Sequence, residues 1–209
     1  MRMLAAVLSS CLVLAAHASE EAMERFNRLN ADPALRQQAY AAAQERIRFC
    51  VHCHGEDGNS KRERIPNLAE QNPVYLFNSF EKFASGERTD YVMSQLAKNL
   101  TLEDRVNVAI YFGQQKVAAH AEPVDEGLRA EGQAIFSRTC VACHGAQAQG
   151  KEDMPRLAGQ PATYVRKALT RFRDKDPSRA GSVMMAVAEN LSDRQIEALA
   201  SYVQTLATP

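Results

Sequence analysis

The pentapeptide Cys-x-x-Cys-His occurs twice in this chain, ninety positions apart, at residues 50–54 and 140–144. Two cysteines at this spacing can each add across one haem vinyl group, and the histidine that follows is placed to coordinate the iron. A zinc clip or a thioredoxin-like thiol pair would leave that histidine unexplained in both copies. The motif therefore predicts two covalently bound haem c groups, attached through Cys50, Cys53, Cys140 and Cys143.

The first 18 residues have the pattern of a secretory signal peptide. One positive charge, Arg2, precedes an apolar run, and residues 16–18 form an A-x-A cleavage site. The run is shorter than the roughly 20 apolar residues that span a bilayer, so we expect export to the periplasm and no anchor. Residues 8–11 also resemble a lipoprotein processing box ending at Cys11, but only ten residues precede this cysteine and the apolar run continues past it.

The charge of the chain is balanced, with 25 Lys and Arg against 25 Asp and Glu. Binding of nucleic acid requires a basic excess or stripe, so we exclude nucleic acid as a partner. The densest basic stretch, residues 166–175, also contains Asp174. We interpret it as a solvated helix face rather than a docking patch.

The two halves of the chain repeat each other well beyond the haem motif. Residues 66–71 match 155–160, and Met93 and Met184 each stand seven positions before a leucine. The offset varies only between 89 and 91, which indicates duplication of one module. We predict a signal peptide at 1–18, a first module at 19–112 with an N-terminal extension, a linker at 113–124 and a second module at 125–209.

Helical signals dominate both modules. Asp32 and Pro33 predict a helix that runs to residue 49, and a corresponding helix is expected over 124–139. The last helices are expected to open at Thr101 and at Ser192, which forms a capping box with Gln195. Middle helices with one apolar face are predicted from the i, i+4, i+7 sets Leu76, Phe80, Phe83 and Val165, Leu169, Phe172. Strand alternation is missing, so the predicted fold is all-α.

Each iron needs two axial ligands, and the motif supplies His54 and His144. Met93 follows His54 by 39 residues and Met184 follows His144 by 40. Methionine is ordinarily a core residue, but recurrence at the same repeat position favours thioether ligation by Met93 and Met184.

Other candidate ligands fit the repeat less well. Met185 is the rival of Met184, although the repeat pairs it with Ser94. We interpret Met154 as a packing residue. We expect His52 and His120 to be exposed, although either could ligate an iron if a methionine were displaced.

Taken together, these motifs resemble the dihaem cytochrome c4 family, a tandem of two class I cytochrome c domains. The resemblance covers roughly residues 38–112 and 125–207, and rests on the two Cys-x-x-Cys-His-Gly runs, Pro-Arg-Leu-Ala-Gly-Gln, and the turn Phe-Ala-Ser-Gly-Glu-Arg. It implies two domains related by a pseudo-two-fold axis. It also implies that Pro66 and Pro155 orient the axial histidines through their carbonyls, and that Tyr111 and Tyr202 pack against the first helices.

Most departures from the family pattern lie in the first module. Ala42 and Arg46 stand where the second module has Gly132 and Phe136, so the helix contact is expected to differ. Glu70 replaces the counterpart of Gly159, and an additional stretch at residues 19–30 precedes the usual start.

The resemblance implies an electron carrier rather than an enzyme, passing single electrons between membrane-associated respiratory donors and a terminal oxidase. Peripheral membrane association is left open. One alternative is the cytochrome subunit of a dehydrogenase complex, such as a flavin-dependent sulfide dehydrogenase. Another is a dihaem peroxidase or thiosulfate oxidoreductase, but such an enzyme needs an open iron site, and two placed methionines argue against one.

Overall fold

The computed structural model describes residues 22–118 and 124–206. The predicted signal peptide, Cys11 and His120 lie outside these ranges. Within the described ranges, no helix is both long and apolar enough to cross a membrane.

The predicted all-α fold is confirmed over the described residues. Their only β pairing is one isolated bridge between Lys151 and Met154. The helices of the first module are α1 (22–31), α2 (Pro33–Arg46), α3 (Val51–His54), α4 (Pro73–Ser85), α5 (Tyr91–Asn99) and α6 (Leu102–Gly113). The helices of the second module are α7 (Glu126–Thr139), α8 (Val141–His144), α9 (Ala162–Arg173), α10 (Met184–Ala188) and α11 (Asp193–Thr205).

Side-chain caps set the starts of α2, α6, α7 and α11. The Asp32 carboxylate accepts from the Ala34 N–H at 2.8 Å, and Pro33 takes the first helical position, as predicted. The helix predicted over 124–139 begins later, at Glu126, because Asp125 provides its cap. The predicted capping box at Ser192 is present, and a second, unpredicted box joins Thr101 to Asp104 at the start of α6.

In each module the first long helix packs against the last. α2 contacts α6, and α7 contacts α11. A Cβ on Gly132 would lie 2.0 Å from the Ala198 carbonyl oxygen, so glycine is what allows α7 and α11 to approach so closely. Tyr111 stacks on Tyr40 of α2 with ring centroids 4.6 Å apart. The ring of Tyr202 lies 5.5 Å from that of Phe136 of α7, and both contacts confirm the expected tyrosine packing.

The expected pairing of Ala42 and Arg46 with Gly132 and Phe136 is wrong. Both first-module residues are exposed, and Arg46 forms an ion pair with Asp104. The buried positions, equivalent to Gly132 and Phe136, are instead taken by Ala43 and Ile47, which are 0% and 9% exposed. The cause is a 3₁₀ turn at Ile47–Phe49, which uses about three residues per turn rather than 3.6 and shifts the buried face by one position.

The N-terminal extension forms helix α1, which covers the first module. Phe26 is fully buried and stacks on Phe77 of α4 with ring centroids 5.2 Å apart. In the second module the position of Phe77 is taken by Arg166, whose guanidinium forms an ion pair with Glu197. Phe77 therefore occurs in the module where α1 covers it. Its charged equivalent, Arg166, occurs in the module whose described residues include no such helix.

The modules meet through exchanged amide hydrogen bonds. The side chain of Gln71 donates to the Arg156 carbonyl at 2.9 Å and accepts from the Arg156 N–H at 2.7 Å. The side chain of Gln160 binds the carbonyl and N–H of Asn67 in the same way, at 2.8 and 3.0 Å. Gln71 and Gln160 are repeat equivalents, as are Asn67 and Arg156, so the contact follows the predicted pseudo-two-fold symmetry.

Glu70 fastens the segment after α6 to this interface. Its φ of 55° is in the left-handed region, where its equivalent Gly159 has a φ of 73°. The Glu70 carboxylate accepts from the Val117 N–H at 3.4 Å and lies 3.5 Å from Lys116 Nζ. It also lies 3.9 Å from the Arg156 guanidinium of the second module. The unusual conformation is thus accompanied by contacts to both the connecting segment and the other module.

Candidate haem sites

Each Cys-x-x-Cys-His motif folds into a one-turn helix, α3 or α8, that ends at a glycine. Gly55 and Gly145 have φ values of 80° and 77°, a region that residues with a Cβ rarely adopt. A Cβ on Gly55 would also lie 2.2 Å from the Asn59 carbonyl oxygen. The glycine therefore turns the chain sharply after the histidine and lets the following loop close over it.

Both motif histidines are oriented by a proline carbonyl. His54 Nδ1 lies 2.9 Å from the Pro66 carbonyl oxygen, and His144 Nδ1 lies 2.9 Å from that of Pro155, as expected. Burial lowers the pKa of each imidazole, and the proline contact opposes that effect only in part. Each ring is thus held in its neutral form with Nε2 as the nitrogen left to bind a metal.

The four motif cysteines form no disulfide. Cys50 and Cys140 pack against the edges of the two cores. Burial, with a smaller contribution from the second cysteine of each motif, raises the pKa of both thiols to about 11. Cys53 is half-buried and Cys143 is exposed. Because no disulfide joins them, the thiols are available for thioether bonds, and the set of two thiols and one imidazole fits a covalently attached haem.

The predicted methionines lie at the starts of equivalent helices. Met93 is in the first turn of α5, where the Asp90 carboxylate caps its N–H at 3.2 Å, and its side chain packs against the first core. Asp90 also acts electrostatically on His54, so α5 begins near that imidazole. Met184 opens α10, and both it and Met185 are half-buried. The choice of Met184 rests on the repeat.

A cluster of two arginines and two tyrosines lies between the modules. Arg88 donates to the Tyr75 hydroxyl at 3.4 Å and to Ser79 at 3.3 Å. Burial alone would raise the pKa of Tyr164, but the guanidinium groups of Arg88 and Arg179 act more strongly and lower it. Arg88 and Arg179 are both half-buried, and the Asp176 carboxylate also interacts with Arg179. Guanidinium groups bind carboxylates well, so the haem propionates would fit beside this cluster. The matched tyrosines were visible in the repeat, but their arginine partners were missed.

The expected exposure of His52 is confirmed, and the basic stretch of α9 forms many ion pairs. His52 is exposed, and its Nε2 lies 3.2 Å from the Arg62 guanidinium. The basic stretch at 166–175 is largely neutralised within the protein. Its ion pairs are Arg166 with Glu197, Arg171 with Asp176, Arg173 with Asp174 and Asp193, and Lys175 with Glu189.

Known proteins share this fold and about a third of the aligned residues. The family model described as "Cytochrome c" matches residues 129–207. Cytochrome c4 of Pseudomonas aeruginosa is 36% identical over 178 residues, covering 79% of this chain and 88% of that protein. The crystal structure of reduced recombinant cytochrome c4 from Pseudomonas stutzeri superposes with a TM-score of 0.73 at 32% identity, over 79% of this chain and 97% of that one. The thiosulfate dehydrogenase electron acceptor of Thiomonas intermedia is 32% identical, covering 79% of this chain and 82% of that protein.

Two helical modules, each with a haem-attachment motif, define a dihaem c-type cytochrome. Its cofactors are two covalently bound haem c groups. The identity to cytochrome c4 over most of both chains then gives the narrower assignment: this chain belongs to the cytochrome c4 family. It is accordingly an electron carrier and not an enzyme.

Proposed function

We propose that this protein is a periplasmic carrier that passes single electrons from membrane-associated respiratory donors to a terminal oxidase. The irons would be held by His54 and Met93 in the first module and by His144 and Met184 in the second. The main observation in support of this proposal is the arrangement of the candidate ligands. Two histidines, each oriented by a proline carbonyl at 2.9 Å, are followed by methionines at the same place in the repeat.

Haem c supplies one-electron chemistry by alternating between its ferric and ferrous states. The protein contributes ligation, orientation and burial. The proline carbonyls fix the imidazole rings and make Nε2 a stronger donor. Met93 and Met184, as the second ligands of the two irons, would favour the ferrous state and would leave no iron position for a substrate.

The proposed location and domain limits follow from the sequence. Residues 1–18 would be removed on export, the first module would span 19–112 and the second 125–209, with a linker at 113–124. Covalent haem attachment on the outer side of the membrane agrees with this arrangement.

A second candidate is electron acceptor for a sulfur-compound dehydrogenase. It is favoured by the similarity to the thiosulfate dehydrogenase electron acceptor of Thiomonas intermedia. In that role the same two irons would receive electrons from a bound dehydrogenase instead of a respiratory complex. Co-purification of a dehydrogenase subunit with the native protein would favour this candidate over the terminal-oxidase route.

Mass spectrometry and a redox titration of the purified protein test the proposal. After acid and organic extraction the chain should keep the mass of two haems, because thioether bonds survive unfolding. The titration should show two reversible one-electron steps at distinct midpoints, because the two modules differ in packing and local charge. An apoprotein mass, or a five-coordinate haem that turns over peroxide at enzymatic rates, would contradict it.

A further inference from the structure

The two helices that carry the candidate methionine ligands begin in different ways. In α5 the Asp90 carboxylate accepts from the N–H groups of Val92 and Met93 at 3.1 and 3.2 Å. The Ser94 hydroxyl in turn accepts from the Asp90 N–H at 3.1 Å. Three hydrogen bonds between side chains and backbone therefore fix the turn on which Met93 lies.

The start of α10 has no equivalent cap. Gly181 stands at the repeat position of the aspartate that caps α5, and the capping residue of α10, Val183, makes no side-chain hydrogen bond. Among the described residues, the side chain that accepts from the Met184 N–H is that of Ser182, at 3.3 Å. The helix is also shorter, with five residues against nine in α5. Fewer and longer hydrogen bonds therefore hold the turn that carries Met184.

The other end of α10 is well held. Ala188 is fully buried and lies one helical turn after Met184, on the same face. Glu189, which follows it, forms an ion pair with Lys175 at 2.6 Å. Before the helix, no neighbouring atom lies within 4 Å of the place where a Cβ on Gly181 would be, so the chain there has space to move. An outward movement of Met184 therefore requires only the first turn of α10 to open.

Opening of this turn has a chemical consequence for the haem site of the second module. Segments held by few contacts open locally at a small cost in free energy. Once a thioether moves away from a ferric iron, a neutral imidazole is a suitable replacement, because nitrogen donors of this kind bind iron well. The exchange breaks one iron–sulfur bond and forms one iron–nitrogen bond, and it transfers no electron and no proton.

We propose that the iron of the second module, and not that of the first, is a binding site for small neutral nitrogen ligands, which enter when the first turn of α10 opens and Met184 moves away. In the first module Asp90 is the positioning residue that holds Met93 in place and keeps the iron closed. This inference rests on the proposed ligation by Met93 and Met184. It adds a site that responds to small molecules to one of the two haems.

Titration of the ferric holoprotein with imidazole, followed at the methionine–iron charge-transfer band, tests the proposal. In Met93→Ala the remaining band reports the second iron, and in Met184→Ala it reports the first. We expect the dissociation constant for imidazole at the second iron to be at least about fivefold lower than at the first, which is the effect of a missing helix cap. Equal constants, or tighter binding at the first iron, would overturn the proposal.

Substitution of the capping residue tests the cause of the difference. In the Met184→Ala background, Asp90→Ala should lower the imidazole dissociation constant of the first iron about fivefold, whereas Asp90→Asn, which keeps a side-chain acceptor, should change it less than about twofold. Lys98→Ala, at an exposed position of α5, is the matched control and should leave the constant unchanged. An unchanged constant in Asp90→Ala would refute the positioning role of this residue.

Hydrogen exchange of the unsubstituted ferric holoprotein, measured by NMR, does not depend on the folding of any variant. After correction for intrinsic rates, the N–H groups of Met184 and Met185 should exchange at least about fivefold faster than those of Val92 and Met93. Equal protection would count against the opening of α10.

The spectra separate this inference from the ligation on which it rests. If Met93→Ala or Met184→Ala removes no charge-transfer band, the proposed ligation itself fails. If both bands are lost as expected but the two imidazole constants agree, the ligation stands and only the ligand site in the second module is refuted.

Discussion

Met93 and Met184 occupy equivalent positions at the starts of α5 and α10, and both are half-buried. A thioether has no charge and little hydrogen-bonding demand, so burial alone would suit either residue without any metal. What distinguishes them from Met154, also half-buried, is recurrence in both modules. If the methionines are iron ligands, removing a side chain should change the absorption spectrum of the haem. If they only pack in the core, it should not.

We expect Met93→Ala to remove one methionine–iron charge-transfer band at the red end of the visible spectrum and to lower one midpoint potential, because a thioether favours the ferrous state. Met184→Ala should do the same for the other haem. Absorption spectra and redox titrations of the holoproteins provide the measurement, with Met154→Ala as the control that leaves both unchanged. Loss of the band in Met185→Ala but not in Met184→Ala would show that the repeat has been aligned one residue wrong.

At the scale of elements, helix α1 makes the first module different from the second. It buries Phe26 against Phe77 and adds an ion pair between Arg25 and Glu103 at 3.1 Å. The aromatic contact is fully buried, whereas both members of the ion pair are more than a third exposed. The stabilisation that α1 contributes should therefore come from the ring and not from the charges.

Replacing Phe26 with alanine should lower the free energy of unfolding of the first module by about 3–4 kcal/mol, since it leaves a cavity against Phe77. Arg25→Ala, the matched control on the same helix, should cost no more than about 1 kcal/mol, because solvent screens exposed pairs. Urea unfolding of the holoproteins, followed by circular dichroism, measures both. Similar losses in the two variants would mean that α1 is held by its charges.

The elements show what sequence reasoning could and could not find. Helix caps such as Asp32 and Ser192 act within one helical turn, so they were predictable from residues close to them in the sequence. Helix α1 was seen only as an extension because its partner, Phe77, lies about 50 residues away in the chain. The burial of Ala43 was missed because a single tight turn at Ile47–Phe49 displaces the helical register without changing the spacing of the motifs.

At the scale of the whole molecule, the relation between the modules depends on Gln71 and Gln160. The repeated glutamines were visible in the sequence, but their partners are backbone groups, which every residue possesses and no pattern marks. Gln71 and Gln160 are 4% and 3% exposed, so water competes little for their hydrogen bonds. The orientation of one haem site relative to the other therefore depends on these two amides, together with the Glu70–Arg156 contact and the hydrogen bond from Asn72 to the Met154 carbonyl.

The double variant Gln71→Ala with Gln160→Ala should uncouple the modules, because it leaves buried backbone N–H and C=O groups unpaired at about 1–3 kcal/mol each. In calorimetry of the holoprotein we expect unfolding to separate into two transitions, and the gap between the two midpoint potentials to change. Gln133→Ala, an exposed position on α7, serves as the control. Unfolding indistinguishable from the wild type would show that the other contacts between the modules, among them Glu70 with Arg156 and the Arg88 and Tyr164 cluster, are sufficient to hold them together.

The exchange of amides also bears on how such a molecule could arise. Each module presents both halves of the contact, a glutamine that reaches out and a backbone that receives it, so the surface is self-complementary. Two separate copies of one ancestral module could have paired through it as a symmetric dimer before any fusion. The short connection between α6 and α7 would then add only effective concentration, turning a weak association into a permanent one. Glu70 contacts that connection through Lys116 and Val117, whereas its equivalent in the second module is Gly159. At this position the two modules are therefore no longer symmetric.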